Sequence, residues 1–196
     1  MPEAIQVVLG VMGAYVLGSV PTGLWLGQRL RGIDIRQHGS GNIGATNTMR
    51  VLGKRLGSVA LACDMAKGLL PVVVISAVSS WPYAPILCGA AAVAGHTASI
   101  FLQFRGGKGV ATSTGVFLGL CPVPTILAAA VFALVTALTR MVSAGSISAA
   151  IAFCVIVWAL PNPWPIRVLA TAMALLIILR HRANIRRILT GTENRI

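Results

Sequence analysis

The chain has 196 residues, 56% of them apolar and 10% charged, with a mean hydropathy of +0.84. A soluble domain carries about 25% charged residues, so composition excludes an ordinary soluble protein and points to an integral membrane one. The net charge of +12, from 16 Lys and Arg against 4 Asp and Glu, would suggest nucleic acid in a soluble chain. Here anionic lipid headgroups and the bias of basic residues toward cytoplasmic loops account for its sign, and no nucleic-acid partner is expected.

The first apolar segment, 5–28, is preceded by Glu3 rather than by a basic leader. Gly18, Ser19, Pro21 and Thr22 interrupt it without a clear cleavage site, so it reads as a retained helix. Segments 57–79 and 84–103 follow, then 109–121. The last of these has about 13 residues where a crossing needs about 20, and Cys121-Pro122-Val123-Pro124 after it is a turn signal. It is expected as a short or partial helix forming a hairpin with 124–139. Segments 144–160 and 164–180 bring the candidates to seven. Trp81, Tyr83 and Trp164 in the short connections suit the headgroup layer. Cys63, Cys88, Cys121 and Cys154 form no C-x-x-C pair and read as packing residues, so no metal is implied.

Charge sets the orientation. The 29–55 loop holds Arg29, Arg31, Arg36, Arg50, Lys54 and Arg55, and the 104–108 loop holds Arg105 and Lys108. Arg140 marks a turn, the tail carries Arg180, Arg182, Arg186, Arg187 and Arg195, and the opposite loops hold only Arg167. Seven crossings put every basic loop on one face, expected to be cytoplasmic. The expected fold is therefore an all-α integral membrane protein. It is a seven-helix transmembrane bundle with the N-terminus outside and the C-terminus cytoplasmic, a single domain over 1–196 without internal repeats.

Three polar stretches carry the chemistry. The first, Gly39-Ser40-Gly41-Asn42-Ile43-Gly44-Ala45-Thr46-Asn47 with Arg50 beyond it, combines glycine amides that can turn toward an anion with neutral donors and a guanidinium suited to phosphate. Residues 45–52 read as a helix whose N-terminus Gly44 could present to a ligand; a flexible interfacial loop is the plainer alternative. The second, Phe104-Arg105-Gly106-Gly107-Lys108-Gly109-Val110-Ala111-Thr112, lacks the G-x-x-x-x-G-K-[ST] frame and a preceding strand, which excludes a nucleotide-hydrolysing P-loop. It leaves amides, a helix N-terminus and an ammonium, or simply a charged helix end. The third is Arg180-His181-Arg182-Ala183-Asn184-Ile185-Arg186-Arg187, ending at Gly191-Thr192-Glu193. His181 and Asn184 share a helix face there, on what is otherwise a basic amphipathic tail. Within the apolar segments Asp64 and Lys67, at i and i+3, are expected to pair. His96 is either a satisfied buried histidine or a residue that holds a loop. Thr22, Ser143 and Ser146 are suited to interhelical hydrogen bonds.

Ser40-Gly41-Asn42-x-Gly44-Ala45-x-Asn47, Arg105-Gly106-Gly107-Lys108-Gly109-Val110-Ala111-Thr112 and Arg180-His181-Arg182-x-Asn184-Ile185-x-Arg187 resemble the three motifs of the bacterial acyl-phosphate:glycerol-3-phosphate acyltransferases, the PlsY family. Gly18-Ser19-Val20-Pro21-Thr22-Gly23 and Ala94-Gly95-His96 are similar to it as well; Arg105 stands where the family usually has Lys. The resemblance implies transfer of a fatty acyl group from acyl-phosphate to the 1-hydroxyl of glycerol 3-phosphate, giving lysophosphatidic acid and phosphate, the first acylation of phospholipid biosynthesis. It implies a bacterial inner-membrane location with the site facing the cytoplasm, and a soluble phosphate acyltransferase as the source of the donor. Ser40, Arg50, Lys108, His181 and Asn184 would be catalytic. Gly41, Asn42, Gly44, Ala45, Asn47, Arg105, Gly106, Gly107, Gly109, Thr112 and Ser143 would bind substrate, with Asp64, Lys67 and His96 in support.

The chemistry of the residues agrees. Both substrates carry phosphate, and an acyl-phosphate is an activated anhydride whose reaction needs positioning, charge neutralisation and an oxyanion stabiliser. No His of this chain has Asp five residues on, which excludes the H-x-x-x-x-D acyltransferase class, and acids are too few for a Ser–His–Asp relay. Direct attack without a covalent acyl-enzyme, and without metal or organic cofactor, is expected. A CDP-alcohol phosphotransferase would need clustered Asp, and only Asp34 and Asp64 are present. An organic-phosphate transporter is disfavoured because the motifs gather on one face and no paired broken helices are evident.

Overall fold

The computed structural model describes residues 2–196. Among them there is no strand, and ten α-helices follow one another along the chain. They fall into two compact units, Met1–Gly119 and Leu120–Ile196.

In the first unit α1 (Glu3–Ser19) and α2 (Thr22–Arg31) meet at a 45° bend. Pro21 stands at the break and cannot donate to the carbonyl ladder. The short α3 (Ala45–Leu52) leads through Gly53 into α4 (Lys54–Val78), a 25-residue helix with Pro71 inside it. Next come α5 (Ala84–Thr97), a 3-10 turn at Ile100–Leu102, and α6 (Val110–Leu120). Small residues set the spacing, as expected where lipid leaves packing to drive association. Gly18 lies against the Ala92 carbonyl and Gly95 against Tyr15, joining α1 to α5. Gly68 and Gly115 do the same between α4 and α6, against Thr112 and Met65. The α1–α4–α5 core holds Ala14, Ile75, Ala84, Cys88 and Ala92.

The second unit is an up-down series: α7 (Pro122–Thr139), α8 (Val142–Ala159), α9 (Trp164–Arg180) and α10 (Arg182–Leu189). The α9–α10 pair is bent by 57° at His181. Trp158, Trp164 and Arg167 stack at the α8–α9 connection, with Arg167 over the Trp158 ring at 5.6 Å, a headgroup-layer arrangement.

The expected seven segments are all helical, and they differ in length. Four helical stretches are long and apolar enough, α4, Ala84–Leu102, α7 and α8, and six if each bent pair counts as one. Segment 5–28 divides at Val20–Pro21. Segment 109–121 is the short helix expected, 11 residues, or about 16 Å at 1.5 Å per residue against about 30 Å of hydrocarbon. The two bends also correct the reading that broken helices are missing.

Candidate functional site

The first motif folds around one side chain. Asp34 opens a 3-10 turn at Ile35–Gln37 by accepting the Arg36 N–H (3.0 Å), and Ile35 is wholly buried beside Leu24 and Ile43. The chain then reverses through Gly39, whose φ of +62° suits glycine. Asn47, on α3 and 2% exposed, reaches back beneath this loop. Its Oδ1 accepts the Ser40 N–H (2.8 Å), and its Nδ2 donates to the carbonyls of Ile35 (2.9 Å) and His38 (3.2 Å). Asn42 Oδ1 accepts the Gly44 N–H (2.9 Å), which shapes the entry to α3. Asn47 was expected among the substrate ligands; its amide makes these three bonds within the loop. What the loop presents outward is Ser40, Gly41 and Arg50; the Arg50 stem lies over Gly39.

The second motif is laid against His96. The Gly107 N–H donates to the His96 carbonyl (3.0 Å), so this glycine amide is spent within the protein. Lys108 emerges half-buried just before α6, and Arg105 is exposed. Thr112, expected to bind substrate, is fully buried in the α4–α6 contact and packs there.

Beneath both motifs lies the expected ion pair. Lys67 Nζ is 2.8 Å from Asp64 Oδ1, both nearly inaccessible. The same ammonium donates to the Val20 carbonyl (2.9 Å), one of those the Pro21 break releases. Ser99 Oγ donates to the Ser19 carbonyl (2.6 Å). The Thr22 side chain hydrogen-bonds Asp64, and His96 Nδ1 stands 4.0 Å from that carboxylate. The pair thus anchors the α1–α2 bend, a tertiary role that i,i+3 spacing alone does not reveal.

A cavity of about 480 Å³ opens between the two motifs, a size suited to small ligands, lined by Gly41 and Asn42 from the first, Arg105 and Gly106 from the second, and Phe101 and Leu102. Arg36 at its edge is held by Asp34 (2.6 Å) and in turn keeps that carboxyl below its ordinary value. Its lining combines the guanidinium residues Arg36 and Arg105 with the apolar Ile43, Phe101 and Leu102.

In the second unit the third motif is organised by an acid whose role the sequence did not suggest. Glu193 Oε1 accepts from Ser143 Oγ (2.7 Å) and Asn184 Nδ2 (2.7 Å), and Oε2 accepts from Arg187 Nε (2.7 Å). Burial works against its charge, but the donors of Asn184, Ser143 and Arg187 outweigh it and hold the carboxyl below its ordinary value. The Ile196 N–H donates to the Arg140 carbonyl (2.9 Å), so the tail returns to the α7–α8 turn. Ser143, expected to bind substrate, is engaged with Glu193. His181 is buried at the bend, its Nδ1 2.8 Å from the Ile177 carbonyl. The signal for Glu193 was its scarcity, one of four acids in a chain of +12.

The family model for glycerol-3-phosphate acyltransferase matches residues 8–191. A glycerol-3-phosphate acyltransferase of Trichlorobacter lovleyi is 45% identical over 185 residues, covering 94% of this chain and 95% of the relative. One from a Synechococcus is 43% identical over 196 residues, covering 100% and 96%. Among solved structures, the integral membrane glycerol 3-phosphate acyltransferase PlsY in its glycerol 3-phosphate form superposes with a TM-score of 0.91 at 36% identity, covering 97% of this chain and 95% of that one. Its lysophosphatidic acid form gives 0.88.

Proposed function

Since the chain belongs to the glycerol-3-phosphate acyltransferase family, we propose that it uses acyl-phosphate as donor and acylates the 1-hydroxyl of glycerol 3-phosphate by direct attack. The observation that carries this reading is the cavity between the first two motifs, cationic from Arg105 and apolar from Phe101 and Leu102. A phosphate bearing an acyl chain calls for both kinds of residue. The solved relatives in glycerol 3-phosphate and lysophosphatidic acid forms support the acceptor and the product.

In the reaction the acceptor oxygen bonds to the acyl carbon, the bond from that carbon to the phosphate oxygen breaks, and inorganic phosphate leaves with the electron pair. Lys108 and Arg50 neutralise phosphate charge, and Ser40 donates to it; this stabilises the leaving group in the transition state. The acceptor proton passes to a phosphate oxygen or to His181. The Ile177 carbonyl only accepts, so the His181 ring carries a proton on Nδ1. Asn184 adds a neutral donor from the third motif, oriented by Glu193.

The family match runs from 8 to 191 through both units, which supports one acyltransferase domain over 1–196. The basic loops support a bacterial inner-membrane protein with its site toward the cytoplasm, the N-terminus outside and the C-terminus inside, with the short α6 counted as the seventh segment. A soluble phosphate acyltransferase would supply the donor. The bends at Pro21 and His181 remove one objection to a transporter; family membership supports the enzyme instead. The test is purified protein in detergent with glycerol 3-phosphate and acyl-phosphate: lysophosphatidate and phosphate should form in equal amounts. Product from acyl-CoA or acyl-carrier protein, and none from acyl-phosphate, would overturn the donor assignment.

A further inference from the structure

The glycines of the second motif invite one explanation, close approach of backbone to a phosphate. The packing offers a different one. A Cβ built on Gly107 would point at the imidazole of His96, overlapping Nε2 and lying 2.9 Å from Cε1 and 3.0 Å from Cδ2. A Cβ on Gly106 would meet the backbone of His96 and Thr97. The Cβ positions of both glycines therefore face inward, onto α5. The imidazole is itself fixed from its other side: Nδ1 faces Asp64 (4.0 Å), which Lys67 holds at 2.8 Å. The ring, 4% exposed, thus fills the space between the buried ion pair and the loop that carries Lys108.

The geometry points to His96 as a positioning residue for the acyl transfer: its ring is the bed on which Gly106–Gly107 lie, and so sets where Lys108 stands. Residue 107 must be glycine because of that ring. The inference rests on the activity proposed above for its kinetic readout, but the contact itself can be read without it. His96 touches no substrate here. It acts through the loop, and a displacement of about 1 Å in such a group costs about 100-fold in rate.

A double-mutant cycle tests this. His96→Asn keeps a polar atom near the Nδ1 position, toward Asp64, and removes Nε2 and Cε1, the two ring atoms that a Cβ at 107 would meet most closely. Gly107→Ala alone should lower turnover about 100-fold, and His96→Asn alone about 10-fold. If the two act on one contact, the double variant stays within about 3-fold of His96→Asn, where independent effects would multiply to about 1000-fold. Gly106→Ala is the control: its obstruction is backbone, so His96→Asn must not relieve it. A His96→Ala background repeats the cycle if the Asn variant fails to fold. The denaturation midpoint in detergent is read for every variant, and Gly107→Ala should lower it less in the His96→Asn background. An inactive wild-type protein would overturn the proposed activity while the midpoint cycle still decides the contact. Multiplicative losses, or equal relief of Gly106→Ala, would overturn the role of His96.

Discussion

The loop at 39–47 and the tail at 181–193 are both short polar segments tied down by one side chain, and they are tied in opposite ways. Asn47 holds the first with a neutral amide that meets three backbone groups. Glu193 holds the second with a carboxylate that meets three side chains. The neutral tie holds the first loop without drawing on a charged side chain, and Arg50 beyond it is exposed. The charged tie consumes donors that would otherwise be free to meet a ligand, Ser143 and Arg187 among them. The two segments therefore differ in what they can offer a phosphate.

The comparison is sharpened most by removing the ammonium of the second motif. Lys108→Ala should lower turnover by about 1000-fold, a loss far larger than any accompanying shift in the denaturation midpoint. Near-normal turnover would remove Lys108 from the site. Asn47→Ala leaves the Ser40 N–H and the carbonyls of Ile35 and His38 without their partner. It should cost about 2–3 kcal/mol of stability, with activity falling as Ser40 shifts. A stable, active variant would mean the loop is held by something else.

Glu193→Gln should cost less, about 1–2 kcal/mol, because the amide still accepts through one oxygen. It should also change the pH dependence. The Glu193 carboxyl is held below its ordinary value in the folded protein. Its contribution is complete above about pH 4.3 and is lost as pH falls through the lower folded-state value. Stability measured from pH 7 to 3 should lose that acid limb in the Gln variant and keep it in Asn47→Ala. An unchanged limb in Glu193→Gln would assign the acid sensitivity to another group. The smallest effect is expected from Arg36→Ala. The Asp34 pair is short but exposed, the Arg36 side chain 49% so, and such pairs contribute about 0–1 kcal/mol. A larger loss would mean the guanidinium supports the cavity wall.

Much of the fold is legible along the chain. Apolar runs announce the helices because the bilayer acts on each segment separately, and 164–180 matches α9 as observed. The Asp64–Lys67 pair is readable from its i,i+3 spacing. Its hold on the Val20 carbonyl is not, because that partner lies 47 residues away. Glu193 and Ser143 are 50 residues apart, and no local pattern links them. The bend after Ser19 has a local cause in Pro21; the capping of the carbonyls it releases is tertiary. Asn47 shows the same limit, since a polar residue in a Gly-rich loop could point outward or inward, and only the buried Ile35 carbonyl shows that it points inward.

From its sequence alone this chain is determined to live in a membrane, to carry its basic residues in a few loops, and to gather Gly, Asn and basic residues in three motifs. Those are properties of residue type and short-range spacing. Which amides and side chains remain for a ligand was decided only in three dimensions. A buried donor must find a partner, and here Gly107 finds the His96 carbonyl, Ser40 finds Asn47, and Ser143 finds Glu193, each across a distance in the chain that no local rule spans.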